Sequence, residues 1–310
     1  MSDLILIDSS NFIFWRYTAT KAWWSHSKQG EPEDCHIDNE LFVEKYTKHF
    51  NDTLTKIKKK FKKFKHSQII WCCDTPRQDL WRTELDQDYK GTRDNSKCPE
   101  IGAFFQFTYS TLINKYQLIS CDMAEADDCV GVICHHLHNT NPDLKITIIS
   151  NDTDFLQLVN SNIQLIKPSK LVEVPLKCES GEEYLQMKVI LGDKSDNIPK
   201  LFKGCGPKKA KELITDSRAF ELEIRNIPER WQQYQYNLSL ISFQHIPQKL
   251  KDNIIRKFNN LEASRRLKNV CDSDEEPEPQ PKVKPIKKIE LKTPQKKPTK
   301  PKITLKLCNK

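Results

Sequence analysis

Seven carboxylates stand where this chain could bring them together. Asp8 closes the apolar run Leu4-Ile5-Leu6-Ile7, and Asp74 closes Gln68-Ile69-Ile70-Trp71-Cys72-Cys73. Glu125, Asp127 and Asp128 open a helical pattern, while Asp152 and Asp154 follow the run Ile146-Thr147-Ile148-Ile149. Short continuous apolar runs of this kind read as buried parallel strands. Ligands of open α/β sheets gather at the carboxyl ends of such strands. Carboxylates crowded there repel one another unless cations lie between them. Hard oxygen clusters suit magnesium or manganese, and paired ions of that type cut or transfer phosphodiesters. Taken singly, Asp127 and Asp128 could simply cap a helix N-terminus. The set has no common structural reason.

The elements that must position these acids alternate. Strands at 4–8, 68–73, 117–120 and 146–149 are separated by helical patterns, including one at 39–65 with Phe42, Tyr46, Phe50 and Ile57 on one stripe. That alternation predicts a parallel sheet with helices on both faces. Residues 77–100 carry many charges and few apolar positions, so they are expected to form an exposed excursion. Within it, Asp88-Tyr89-Lys90-Gly91-Thr92-Arg93 packs an aromatic and two cations into one short stretch. From Gly181 the pattern becomes helical. Gly204-Cys205-Gly206-Pro207 fits a tight hairpin between two helices, with Pro207 at a helix start. Such a hairpin points backbone amides outward and suits phosphate.

Composition narrows the class. The 310 residues allow a substantial core, and no apolar run is long enough to span a bilayer. The N-terminus lacks the basic start of a signal peptide, so an intracellular protein is expected. Eleven cysteines contain no Cys-x-x-Cys pair, which favours buried free thiols over zinc or a disulfide framework. The net charge of +8 is concentrated at the end: residues 282–310 carry +10, leaving −2 for residues 1–281. Acidic residues 272–278 mark the end of the fold, and the lysine- and proline-rich remainder is too polar to bury a core.

Together these residues resemble the 5′-nuclease superfamily of flap endonucleases, polymerase I 5′-nuclease domains and phage 5′-exonucleases. The T4-type phage RNase H is the nearest in look, through Glu125-Ala126-Asp127-Asp128 and the segment Asn237–Phe243. The resemblance covers residues 1 to about 262. It implies a three-layer α/β PIN-like fold with a mostly parallel sheet over 1–180 and a helical arch near 77–105. An all-α helix–three-turn–helix subdomain over 181–262 and a disordered tail over 263–310 would follow. It adds Asp193 and Asp196 to the metal set of Asp8, Asp74, Glu125, Asp127, Asp128, Asp152 and Asp154. Two Mg2+ ions, with Mn2+ as a substitute, would sit among them.

By the same resemblance, Lys90 and Arg93 reach the scissile phosphate, Tyr89 stacks on a base and Arg16 contacts phosphate. Lys203, Gly204, Gly206, Lys208, Lys209 and Lys211 would grip duplex backbone in the hairpin, which can hold K+. The implied substrates are DNA with a 5′ flap or 5′ end and RNA/DNA hybrids. The implied setting is replication or repair, with replication proteins as partners and a monomeric enzyme. The tail lacks the paired aromatics of a clamp-binding motif, and the seven lysines between Lys56 and Lys65 match no role in the family. Competing readings are a PIN-class ribonuclease, which lacks the hairpin, and a catalytically inactive junction-binding protein, which would have lost some of the acids. A haloacid-dehalogenase-type phosphatase would need an acid where Ser10 stands.

Overall fold

Five parallel strands and one short antiparallel strand form a single sheet in the computed structural model, in the order β3-β2-β1-β4-β5-β6. The structure describes residues 3–271 apart from 28, 62–66, 77–78 and 93–97. In chain order the elements are β1 (Leu4–Asp8), α1 (Ser9–His26), α2 (Glu40–Lys60), β2 (Gln68–Cys73), α3 (Trp81–Leu85) and α4 (Ile101–Phe107). Then come β3 (Gln117–Ser120), α5 (Ala126–Thr140), β4 (Ile146–Ile149), β5 (Ile163–Lys167), β6 (Val172–Glu173) and α6 (Gly181–Leu191). Helices α7 (Pro207–Thr215), α8 (Ser217–Phe220), α9 (Pro228–Ile241) and α10 (Gln248–Cys271) complete the fold. Residues up to Arg266 form one compact unit. The tail expected to be disordered falls outside the described residues from 272 onward.

Strand residues alternate between two cores because successive side chains leave a strand on opposite faces. Leu4, Leu6, Ile70, Cys72, Ile146 and Ile148 pack beneath α5 and α10. Ile5, Ile7, Trp71 and Ile149 pack beneath α1, α2 and α4, where the Trp71 ring stacks on Phe50 and meets Phe12 edge-on. The helix expected over 39–65 is α2, with Phe42, Tyr46, Phe50 and Ile57 buried on one stripe. Its final lysines, 62–65, lie outside the described residues.

Strand order reverses between β1 and β4, because successive crossovers run outward from β1 in one direction and from β4 in the other. That switch point opens a crevice at the strand carboxyl ends. Asp8 ends β1 there, and Asp152 follows β4 by three residues. A third core, made by α6, α7 and α9, closes the crevice from the side, with Val189, Ile190, Ala210, Leu213 and Leu240 buried in it.

The expectation for residues 77–100 needs correcting. Leu80, Trp81, Arg82, Tyr89 and Lys90 are all buried, so this charged stretch is not a solvent-exposed excursion throughout. Its cations lose water because carboxylates replace it, as the site geometry shows.

Candidate metal centre

Each acid is held by the turn that ends its strand. Asp8 caps α1, accepting the Asn11 N–H at 3.1 Å through Oδ1 and the Ser150 hydroxyl at 2.9 Å through Oδ2. That second bond ties β1 to β4 across the switch point. The Asp152 N–H donates to Ser150 Oγ at 3.0 Å, and the Asp154 N–H donates to Asp152 Oδ1 at 2.9 Å. Asp74 Oδ1 accepts the Ala126 N–H, which fastens the end of β2 to the first turn of α5. Glu125 is the N-cap of α5 and shares a capping box with Asp128.

Two triads converge. Glu125, Asp127 and Asp128 each offer an oxygen within 4.8 Å of the others, and so do Asp154, Asp193 and Asp196. Asp127, Asp154, Asp193 and Asp196 line one small cleft, which joins the triads. Asp193 and Asp196 reach it through the turn after α6. Gly192 makes that turn possible at φ +67°, where a Cβ would lie 2.5 Å from the carbonyl oxygens of Ile198 and Pro199.

Buried cations are packed among these acids. Arg82 Nη1 donates to Glu125 Oε2 at 3.0 Å and to Asp128 Oδ2 at 3.0 Å, and its Nε donates to the Leu240 carbonyl at 2.8 Å. Lys90 pairs with Glu125, and its Nζ lies 3.8 Å from Asp196 Oδ2. Lys90 adopts φ +56°, and its N–H donates to the Asp196 carbonyl at 3.0 Å. A non-glycine residue in that region is strained and is held by its surroundings. Lys188 pairs with Asp154 and lies 2.8 Å from Asp193 Oδ2.

The charges are unevenly satisfied. Burial would raise Glu125, but the Lys90 ammonium and the Arg82 guanidinium hold it at about 2. Lys188 likewise overcomes burial to hold Asp193 at about 2. Asp8 is pushed up to about 7 by burial and by the Asp74 and Asp152 carboxylates. Asp127 is raised by burial and by Glu125 and Asp128. Asp127 Oδ1 is buried and meets no hydrogen-bond donor among the described residues. The pocket therefore carries more negative charge than its lysines and arginine offset. An orphaned buried oxygen and acids held far above their ordinary range fit a site for divalent cations.

The other predicted site residues divide. Asp8, Asp74, Glu125, Asp127, Asp128, Asp152, Asp154, Asp193, Asp196 and Lys90 gather around the crevice. Asp128 is fully buried and engaged by Arg82, the Trp81 indole N–H and the Glu125 N–H. Tyr89, expected to stack on a base, is instead buried, and its hydroxyl donates to Glu125 Oε2 at 3.0 Å. Arg16, expected to touch phosphate, turns between α1 and α2, donating to Thr53 Oγ1 at 3.2 Å and lying over the Trp15 ring. Arg93 lies outside the described residues. Gly204 takes φ +84° and Gly206 caps α7, so both serve the expected hairpin turn. Lys203 and Lys208 are exposed beside them, Lys209 pairs with Glu212 and Glu223, and Lys211 pairs with Glu183. Arg82 and Lys188 were missed by the sequence reading. Their apolar neighbours, Leu80-Trp81 and Met187-Val189, were the available signal.

A cleft of about 730 Å³ runs from Asp152 and Asp154 past Lys188 and Asp193 to Lys211. It connects the acids to the hairpin side of the molecule. The sequence profile of the 5′-3′ exonuclease N-terminal, resolvase-like domain matches residues 3–188. This chain belongs to the 5′-3′ exonuclease family. It is 25% identical over 232 residues to the ribonuclease H of Enterobacteria phage T4, covering 68% of this chain and 75% of that one. It is 26% identical over 220 residues to a 5′-3′ exonuclease of Bacillus subtilis (strain 168), covering 67% and 66%. Among solved structures, the bacteriophage T5 5′-exonuclease with bound zinc ions is similar in fold, with a TM-score of 0.58, 16% identity and coverage of 84% and 98%. The T5 flap endonuclease in a pseudo-enzyme–product complex with DNA and metal ions gives a TM-score of 0.59 at 15% identity, again over 84% and 98%. The family and the acid-lined crevice make this chain a 5′ nuclease, a hydrolase with a carboxylate cluster suited to divalent metal.

Proposed function

We propose that this chain is a Mg2+-dependent, structure-dependent 5′-3′ exonuclease and flap endonuclease that removes DNA flaps or RNA primers near 5′ ends. The observation that carries the reading is the convergence of two carboxylate triads at a sheet switch point, beside a cleft that leads to a glycine hairpin. Asp8, Asp74, Glu125, Asp127 and Asp152 hold one side of a two-ion site, and Asp154, Asp193 and Asp196 hold the other. Bound divalent ions would supply an acidified water and stabilisation of the leaving oxygen. Asp128 and Tyr89 act as positioning residues, fixing Glu125 through the capping box and a phenol hydrogen bond. Lys90, with Arg93, offsets charge developing on the scissile phosphate.

Residues 181–262 bind the duplex. The outward amides of the Gly204–Gly206 turn and the ammonium groups of Lys203, Lys208, Lys209 and Lys211 face its backbone, with K+ as an accessory ion. An intracellular monomer acting beside replication proteins is consistent with this role. No described helix is long and apolar enough to cross a membrane.

Cleavage of a 5′-flap duplex and of an RNA/DNA hybrid tests the reading. Magnesium-dependent release of short products from the 5′ end is expected on at least one of them. Equal cutting of a closed circular substrate, which has no 5′ end, would contradict it. Tight flap binding without any cutting would favour the junction-binding alternative.

A further inference from the structure

A second cleft, of about 340 Å³, lies on the other side of the turn that carries Asp152. Its walls include Asn11, Phe14, Trp15, Asn151, Lys167 and Lys170. Asn151 lines this cleft while Asp152 lines the large one, so the catalytic turn is the partition between them. The partition is rigidly tied. Asn11 Oδ1 accepts the Asn151 N–H at 2.9 Å and its amide at 3.2 Å, and Asn151 Oδ1 accepts the Ser169 N–H at 3.3 Å. The Asn11 N–H itself donates to Asp8. The cleft is therefore fixed to Asp8 and Asp152 by a handful of bonds.

Its contents are the unusual feature. Phe14 is 47% exposed, and it is the only aromatic among the large hydrophobic side chains left open to solvent in the described residues. One turn of packing explains its neighbours but not Phe14. Phe12 and Ile13 point into the core, and Trp15 rests edge-on against Phe12. Lys167 and Lys170, on the β5–β6 hairpin opposite, form no ion pair within the described residues. An exposed aromatic face, two free ammonium groups and amide side chains in one concavity are the components of a nucleotide site. The volume sits near the lower end of the ~300–1,000 Å³ range of small-ligand sites, enough for one nucleotide rather than a duplex.

We propose that this cleft holds one unpaired nucleotide of the substrate, its base stacked on Phe14 and its phosphate on Lys167 and Lys170, across the acid cluster from the hairpin. This rests on the nuclease reading above and adds a second anchor to it. With the large cleft gripping one side of the cut and this cleft the other, the scissile phosphate is fixed over Asp8 and Asp152 from both directions. Occupancy on both sides would also favour substrates with an unpaired nucleotide at the junction.

The test is a set of flap substrates carrying 2-aminopurine at single successive positions around the cut, bound in EDTA so that nothing is cleaved. One position should be quenched by the wild-type protein and not by Phe14→Ala. Phe14→Ala should also weaken binding about tenfold, the usual scale for losing one base–aromatic stack. Lys167→Ala with Lys170→Ala should reduce the salt dependence of binding by one to two phosphate contacts, ~0.7–0.9 in slope for each. Leu222→Ala, another exposed apolar residue far along the chain, should leave the quenching pattern as in wild type. Identical quenching and affinity in wild type and Phe14→Ala overturns the subsite. Unchanged magnesium-dependent cleavage by Asp152→Ala would instead overturn the nuclease site itself, so the two failures are separable.

Discussion

Arg82 Nη2 lies 2.8 Å from Asp128 Oδ1, and both side chains are closed off from water. The same guanidinium holds Glu125 and the carbonyl of Leu240, so it joins the excursion after β2 to α5 and to the end of α9. Removing it leaves two buried carboxylates without their partner. Arg82→Ala is expected to cost about 3–5 kcal/mol, the range for breaking a buried ion pair from one side. Lysine cannot reproduce the planar fork, so Arg82→Lys should recover only part of that loss. Denaturant unfolding of the three proteins measures both effects, and a loss below about 1 kcal/mol for the alanine variant would refute this assignment.

Metal should matter more to stability as pH rises. Asp8 is held at about 7, far above an ordinary carboxyl, by burial and by Asp74 and Asp152. Between pH ~4 and ~7 the folded chain therefore keeps a proton that the unfolded chain has released. In metal-free protein this contribution is fully favourable at the acid end of the window and is lost as pH rises through 7. Divalent ions bind the deprotonated acids, so their stabilising effect follows the opposite course. The rise in Tm on adding Mg2+ should be larger at pH 8 than at pH 6. An equal rise at both would show that these acids are not the ligands.

The turn after α6 has no room for a side chain at Gly192. A Cβ there meets two backbone carbonyl oxygens, and the positive φ adds its own strain. Gly192→Ala should cost at least about 2 kcal/mol and displace Asp193 and Asp196. Isothermal titration with Mn2+ should show weaker binding than wild type. Wild-type affinity would mean that this turn does not carry ligands.

Lys188 competes for the oxygens of Asp154 and Asp193. Replacing its charge by Lys188→Met should tighten divalent-ion binding in the absence of DNA, by about tenfold for ~1.4 kcal/mol of competing ion pair. Weaker binding in the variant would assign the lysine to holding the triad together instead.

Much of this was legible from residue types and positions. Asp8, Asp74 and Asp152 could be placed because a buried parallel strand is a continuous apolar run, and the acid that ends it marks the carboxyl edge. Asp193 and Asp196 carried no such strand signal and needed the resemblance. The cations were harder. Arg82, Lys90 and Lys188 sit in polar surroundings in the sequence, and a charged stretch reads as a solvated one unless its counter-charges are known. Those counter-charges come from Glu125, Asp128, Asp154, Asp193 and Asp196, distant in the chain. Tyr89 and Arg16 were assigned to nucleic acid from their chemistry alone. Burial under Glu125 for the first, and a turn toward Thr53 and Trp15 for the second, are facts of packing that no local pattern encodes. Phe14 shows the reverse case, an apolar residue in an apolar run that the fold leaves in solvent.

The most direct measurement is cleavage of a 5′-flap substrate by wild type and Asp152→Ala, each with and without magnesium. Asp152 stands on the partition between the two clefts, with its carboxylate beside Asp8 and Asp154. The structure predicts rapid cutting by wild type only when magnesium is present, and a loss of at least about a hundredfold in Asp152→Ala with flap binding retained. Full magnesium-dependent activity in the variant would contradict the proposed centre.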